Sequence, residues 1–212
     1  MTSFRLHNLI LVAACSAACT MANAAAITGS LWAVSDPVAQ NAILANVPGT
    51  PPDVTFQVNA PLTFFSAGVS SVNAWLLSGG AFNIVGSPAA LNRQFSPSLV
   101  QFTGQVSVTN GQTFALTHDD GLTLIIGGTS VISAPGPSGA AQLIGTYTGP
   151  TGNFPFTLVY GECCVGAAVL QVNLPFQPGT PTTSGVPEPG TFALMAGGLA
   201  VAVVARRKRL VG

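Results

Sequence analysis

The sequence predicts an all-β protein: an antiparallel β-sandwich ectodomain with an N-terminal signal peptide and a short C-terminal transmembrane helix. Three observations carry this. Short segments rich in Val, Phe, Leu, Ile and Thr recur between turns of Gly, Pro, Asn and Ser, and helical periodicity is scarce. Several of these segments alternate apolar and polar residues with period two, as a half-buried strand requires. Both chain ends are apolar and basic, whereas the body between them is almost free of charge.

At the N-terminus, residues 1–24 read as a secretory signal peptide. Arg5 gives a short positive region, Leu9 to Ala18 a nearly continuous apolar run, and Ala22-Asn23-Ala24 a small-residue cleavage position. The run is too short to span a membrane comfortably. Export through the Sec machinery is the expectation.

Residues 26–176 follow as one domain's worth of chain, long enough for a single core. Strands are expected in "DVTFQV", "VNAWLL", "LVQFTGQVSV", "TFALTH", "LTLIIGG", "FPFTLVYG" and "AAVLQVNL". In "TFALTH", Phe114, Leu116 and His118 share a face; in "FPFTLVY", Phe154, Phe156, Leu158 and Tyr160 do. "DPVAQNAILANV" suits a short helical turn, with Asp36 as N-cap and Pro37 at the first helical position. Trp32 and Trp75 could stack on sugars, although core packing is the default for both.

Arg93 is the only basic side chain of this body, against Asp36, Asp53, Asp119, Asp120 and Glu162. A domain without clustered Lys and Arg does not bind nucleic acid. Cys15 and Cys19 leave with the signal peptide, so the adjacent Cys163 and Cys164 remain. In an oxidising compartment they form a strained vicinal disulfide, stay free, or pair between molecules. Two small buried hydrophobes are the plainer alternative. His118 is the one histidine left after signal removal; no zinc-ligand spacing accompanies it, and a hydrogen-bonded turn residue is the expected role. No nucleophile has a recognisable setting, and Glu162 with an aspartate is the sole conceivable acid–base set. The expectation is a protein that is not an enzyme.

The stretch "QPGTPTTSGVPEPG" supplies an extended linker over residues 177–186. Residues 186–212 then show three parts: Pro187-Glu188-Pro189, an apolar run over Thr191–Ala205, and the basic tail Arg206, Arg207, Lys208 and Arg209. Positive charge after an apolar segment stays cytoplasmic. The body is therefore exported while the tail holds in the inner membrane. This three-part ending resembles the PEP-CTERM sorting signal of Gram-negative bacteria. The resemblance implies cleavage by an exosortase near the Pro-Glu-Pro. It also implies transient anchoring in the inner membrane and release to a cell surface or extracellular matrix, in organisms that make exopolysaccharide and biofilm.

Within the body, "GQTFALTHDDGLTLIIGG" and, further on, "FPFTLVYGECCVGAAVLQV" have the order of an aromatic strand, Asp-Asp-Gly, an apolar strand, another aromatic strand, an acidic turn and a Gly-Ala-rich final strand. This order resembles the anthrax-protective-antigen-type β-sandwich domain, also found in flocculins, glycosidases and fibro-slime proteins. The resemblance is carried by Phe114, Asp119, Asp120, Gly121, Leu122, Leu124, Gly128, Tyr160, Glu162, Gly166 and Ala167. It implies a calcium ion held by Asp119 and Asp120, joined by a cis peptide, with the loop from Glu162 to Gly166 supplying further oxygens. Oxygen ligands are what this hard cation takes. His118, Gly121, Cys163 and Cys164 would then border the ligand. Three departures stand out: His118 stands where the family often has Ser, Gly127-Gly128 replaces an acidic position of the family, and neither Asn153 nor Asn173 falls obviously in the loop that completes the flocculin site. The same Asp-Asp-Gly also makes a turn unaided, the aspartates accepting backbone N–H bonds and the glycine providing positive φ. The function expected is non-catalytic carbohydrate binding or adhesion with glycans or exopolysaccharide as partners. A structural matrix protein with no specific ligand is the alternative.

Overall fold

Alternation along the body builds two antiparallel sheets in the computed structural model, which describes residues 26–67 and 70–177. The signal peptide with Ala22 and Ala24, the linker from residue 178, Pro187, Glu188, Pro189 and the basic tail lie outside the described residues. Among the described residues no helix is long and apolar enough to cross a membrane.

In chain order the strands are β1 Ala26–Ala33, β2 Val54–Asn59, β3 Leu62–Ser66, β4 Phe82–Gly86, β5 Ser98–Val108, β6 Thr113–His118, β7 Gly121–Ile126, β8 Thr129–Ala134, β9 Ala141–Thr146, β10 Gly152–Glu162 and β11 Ala168–Val172. One sheet has the order β4-β2-β1-β5-β10-β7-β8, the other β3-β11-β6-β9. The inner faces share one core. Phe56, Val100, Phe102, Leu124, Leu158 and Tyr160 of the larger sheet meet Phe64, Leu116 and Leu170 of the smaller, all buried. The edge contact of Phe56 with Phe64, centroids 6.4 Å apart, ties the layers together.

The segment "VNAWLL", expected as a strand, is instead a helix, α2 Val72–Ser78. Ser71 caps it, its hydroxyl accepting from the Ala74 N–H at 3.2 Å. The buried residues Val72, Trp75 and Leu76 follow the i, i+3, i+4 spacing of a helix face. Trp75 is fully buried between Phe64 and Phe95, centroids 4.3 and 4.2 Å away. Trp32 is buried too and donates to the Thr50 carbonyl. Neither indole is free to stack on a sugar. The expected turn after Trp32 forms as α1 Asp36–Ala39 and a 3₁₀ turn at Leu44–Asn46, with Ser35 rather than Asp36 at the N-cap. A further short helix, α3, covers Pro88–Asn92.

The α1 segment covers the outer face of the larger sheet, where Ala42 packs on Leu99 and Val159. It can lie that close because Gly121 and Gly161 are cross-strand partners beneath it. A Cβ on Gly161 would strike the Ala39 carbonyl oxygen, and one on Gly121 would strike the Pro135 carbonyl oxygen. Among the described residues no element covers the outer face of the smaller sheet.

Candidate functional site at one end of the sandwich

Three loops meet at the end of the sandwich where β6 turns into β7. Asp119 and Asp120 form that turn, Ser138 comes from the β8–β9 loop, and Cys163 to Ala167 join β10 to β11. Asp120 carries the positive φ of the turn, +59°. Gly121 has no positive φ, so its role is space for Pro135 rather than backbone freedom. The cis peptides among the described residues are Ala60-Pro61 and Ser96-Pro97; the Asp119–Asp120 bond is trans, contrary to the family expectation.

Asp120 is buried, and three of its four hydrogen-bonding groups are engaged. Its N–H donates to the Ser138 carbonyl at 2.9 Å. Its carbonyl accepts from His118 Nδ1 at 2.7 Å and from the Ser138 hydroxyl at 3.3 Å. Its Oδ2 accepts the Cys163 N–H at 2.8 Å, which binds the two functional loops together. One carboxylate oxygen is left over. Asp119 is half-buried, and its Oδ1 accepts from the Asp120 N–H at 3.1 Å. Burial, and after it the negative charge of Asp120, hold the Asp119 carboxyl above its ordinary value.

Because a carbonyl only accepts, His118 carries its proton on Nδ1. Its Nε2 is buried and has no hydrogen-bond partner. The histidine is thus a pin for the turn, as expected, and not a solvent-facing base.

Glu162 departs from its expected place. It faces inward beside Tyr160, whose hydroxyl donates to Oε2 at 2.7 Å, and it is only 1% exposed. It lines a cavity of about 10 Å³, the size of one water, with Ser66 and Ser70, whose hydroxyls are buried without partners. Burial first, then Asp120 and Asp119, push its carboxyl up to about 8 against the lowering contact of Tyr160. Bonded inward to Tyr160, Glu162 does not converge with Asp119 and Asp120. Among the described residues the metal-capable side chains that do converge are Asp120, Cys163 and Cys164. That trio has two sulfurs and one carboxylate, not the oxygen set calcium takes.

Cys163 and Cys164 are free thiols with Sγ atoms 2.6 Å apart. Cys163 is buried but Cys164 is exposed, so the pair is not two buried hydrophobes. Burial, then the Cys164 contact, push the Cys163 thiol far up. Cys164 and Val165 both have positive φ, +65° and +55°. Gln40 Nε2 donates to Cys164 Sγ at 3.5 Å, so the α1 segment reaches this loop as well.

Among the described residues no lysine or arginine neutralises the acidic end, and only the His118 ring opposes the rise at Asp119 by its charge. Arg93 is half-buried, partial desolvation lowers its pKa from the ordinary value, and its guanidinium is spent on the carbonyls of Gln94, Phe95 and Pro97 and on the Ser98 hydroxyl. Sequence reasoning missed Ser138 and the support from Ala39 and Ala42, since both depend on loops far apart in the chain. The Tyr160–Glu162 contact had a signal: two residues apart on a strand share a face.

Comparison with known proteins fits this architecture. The PA14 domain of the antifreeze protein MpAFP is 19% identical, the match covering 74% of this chain and 84% of that one, with a TM-score of 0.54. The PA14 sugar-binding domain of an RTX adhesin is 18% identical, covering 69% and 87%, with a TM-score of 0.51. The body has the PA14 fold. At such identities the likeness speaks for fold alone. The PEP-CTERM protein-sorting motif matches residues 185–209. A signal of that kind implies export as a membrane-anchored precursor that an exosortase processes. No curated protein matches the chain.

Of the donor set that the resemblance implied, Asp119 and Asp120 are the residues that would hold calcium. Asp119 and the spare oxygen of Asp120 are hard oxygen donors, and a cation would relieve the repulsion that, after burial, raises Asp119. Glu162 is outside the set.

Proposed function

We propose that this chain is an exported, exosortase-processed surface or matrix protein whose PA14 body binds carbohydrate without catalysis, assisted by calcium at Asp119 and Asp120. The observation that carries this reading is the pair of adjacent carboxylates at one end of the sandwich, with His118 beside them and no lysine or arginine among the described residues to balance them. The RTX adhesin domain that shares the fold is a sugar-binding one, which favours the same class of ligand. Calcium would supply positive charge and coordination positions open to sugar hydroxyls. Asp119 and Asp120 would hold it, His118 and Ser138 fix the Asp120 backbone, and Cys163 fixes its second carboxylate oxygen. Exopolysaccharide at the cell surface is the fitting partner. A hydrolytic reading is disfavoured by the same geometry, because His118 is pinned and Glu162 is sealed inside.

One observation favours a second reading, a structural matrix domain with no specific ligand: the N–H, carbonyl and Oδ2 of Asp120 are all used within the protein, as in a turn that only shapes its loop. A glycan array probed with the exported protein separates the two. Binding in calcium that disappears with chelator and in Asp119→Ala supports the first. An array empty under both conditions supports the second.

A further inference from the structure

Among the described residues nothing covers the outer face of the β3-β11-β6-β9 sheet, which holds a groove of about 400 Å³. Its centre is one straight row of side chains. Thr63 pairs with Gln171, Gln171 with Thr117, and Thr117 with Gln142, so a single register line crosses all four strands. Asn173 and the small Ala115 continue the groove on one side. No charged residue lines it.

The chemistry of this row is specific. Amide and hydroxyl side chains both donate and accept hydrogen bonds, and they match a partner built of neutral hydroxyls. One exposed apolar side chain stands beside the row on each edge strand, the two on opposite sides of it. Phe65 lies two residues along the strand from Thr63 and is 55% exposed; Ile144 lies two residues from Gln142 and is 73% exposed. Exposed aromatic and aliphatic faces of this kind suit the C–H faces of sugar rings. Strands stand about 4.8 Å apart, so the row of four spans roughly 14 Å. That spacing is close to the advance of one ring along an extended polysaccharide, which lets each strand address one sugar.

We propose that this groove is a second glycan-binding surface, one that takes an internal stretch of an uncharged polysaccharide lying across the strands. It rests on the reading of the chain as a carbohydrate binder, but it shares no residue with the Asp119–Asp120 loop and needs no calcium. A polymer offers the same short stretch many times, so a modest contact per groove gains from local concentration.

Affinity electrophoresis of the full chain in mild detergent tests it, with hydroxyethylcellulose and dextran as probes, in calcium and in chelator. The expected result is retardation by at least one polymer that persists in chelator and in Asp119→Ala. It should weaken at least tenfold in the double variant Gln171→Ala/Thr117→Ala and in Gln171→Glu, with unchanged melting temperatures showing that both variants fold. Absence of retardation by either polymer overturns the groove. So does retardation that survives both groove variants. Binding lost with chelator and in Asp119→Ala yet indifferent to the groove variants overturns it while leaving the calcium loop standing. Concentration-dependent self-association abolished by Gln171→Glu, without polymer binding, would assign the face to a second copy of the chain and overturn the proposal too.

Discussion

Glu162 is a carboxyl held neutral by its surroundings, and this has a measurable cost. Its folded pKa is about 8, against an ordinary 4.5 in the unfolded chain. Between those values the unfolded chain binds fewer protons than the folded one, so stability falls as pH rises and levels off above about 8. Chemical denaturation across that window should show the decline, and Glu162→Gln, which keeps the shape and an acceptor for the Tyr160 hydroxyl, should flatten it. A stability that rises or stays level across the same window would mean that Glu162 ionises in the fold. At the neighbouring positions, the two thiols lie side by side and the protein is exported to where disulfides form. The expected exported protein therefore contains a Cys163–Cys164 disulfide, two hydrogens lighter by intact mass and resistant to alkylation until reduced. Alkylation of both thiols in native protein would contradict it.

Elements show what alternation in the sequence conveys and what it hides. Six of the seven expected strands are present, because period two on a half-buried surface is a local property of the chain. The seventh, "VNAWLL", became α2, and there the helical signal was the Ser71 cap with Val72, Trp75 and Leu76 on one face, too short a run to outweigh its β-prone composition. Strands β4, β8 and β9 are weakly apolar edge or near-edge strands, whose place is set by pairing rather than by their own pattern. The Asp-Asp-Gly turn and the facing acidic loop could be read from order alone. The inward aim of Glu162 and the grip of Ser138 on Asp120 could not, since each comes from tertiary packing. The support that α1 gives this turn is testable at Gly161. Gly161→Ala places a Cβ against the Ala39 carbonyl and 3.1 Å from Ala42, and overpacking of this sort costs about 1–3 kcal/mol. Gly166→Ala, with nothing within 4 Å of the new Cβ, is the control and should be near neutral. Equal stabilities for the two variants would show that α1 yields freely.

For the whole molecule, the division of charge follows the journey. Basic residues sit in the two terminal segments, and the body between them keeps five acids and one arginine. The sorting motif at 185–209 accounts for the basic end, and the PA14 fold for the body. What joins the two into a function is whether the acidic end of the sandwich takes a cation. The direct measurement is the melting temperature of the full chain in calcium and in chelator, for the natural sequence and for Asp119→Asn. A ligand of the folded state stabilises it by about 2.7 kcal/mol at a hundredfold excess over its Kd. If Asp119 and Asp120 hold calcium, the melting temperature rises clearly with calcium, Asp119→Asn abolishes the rise, and the variant is no less stable than the natural chain in chelator, since the substitution removes the repulsion with Asp120. An unchanged melting temperature at millimolar calcium, or a rise that persists in Asp119→Asn, would contradict that assignment.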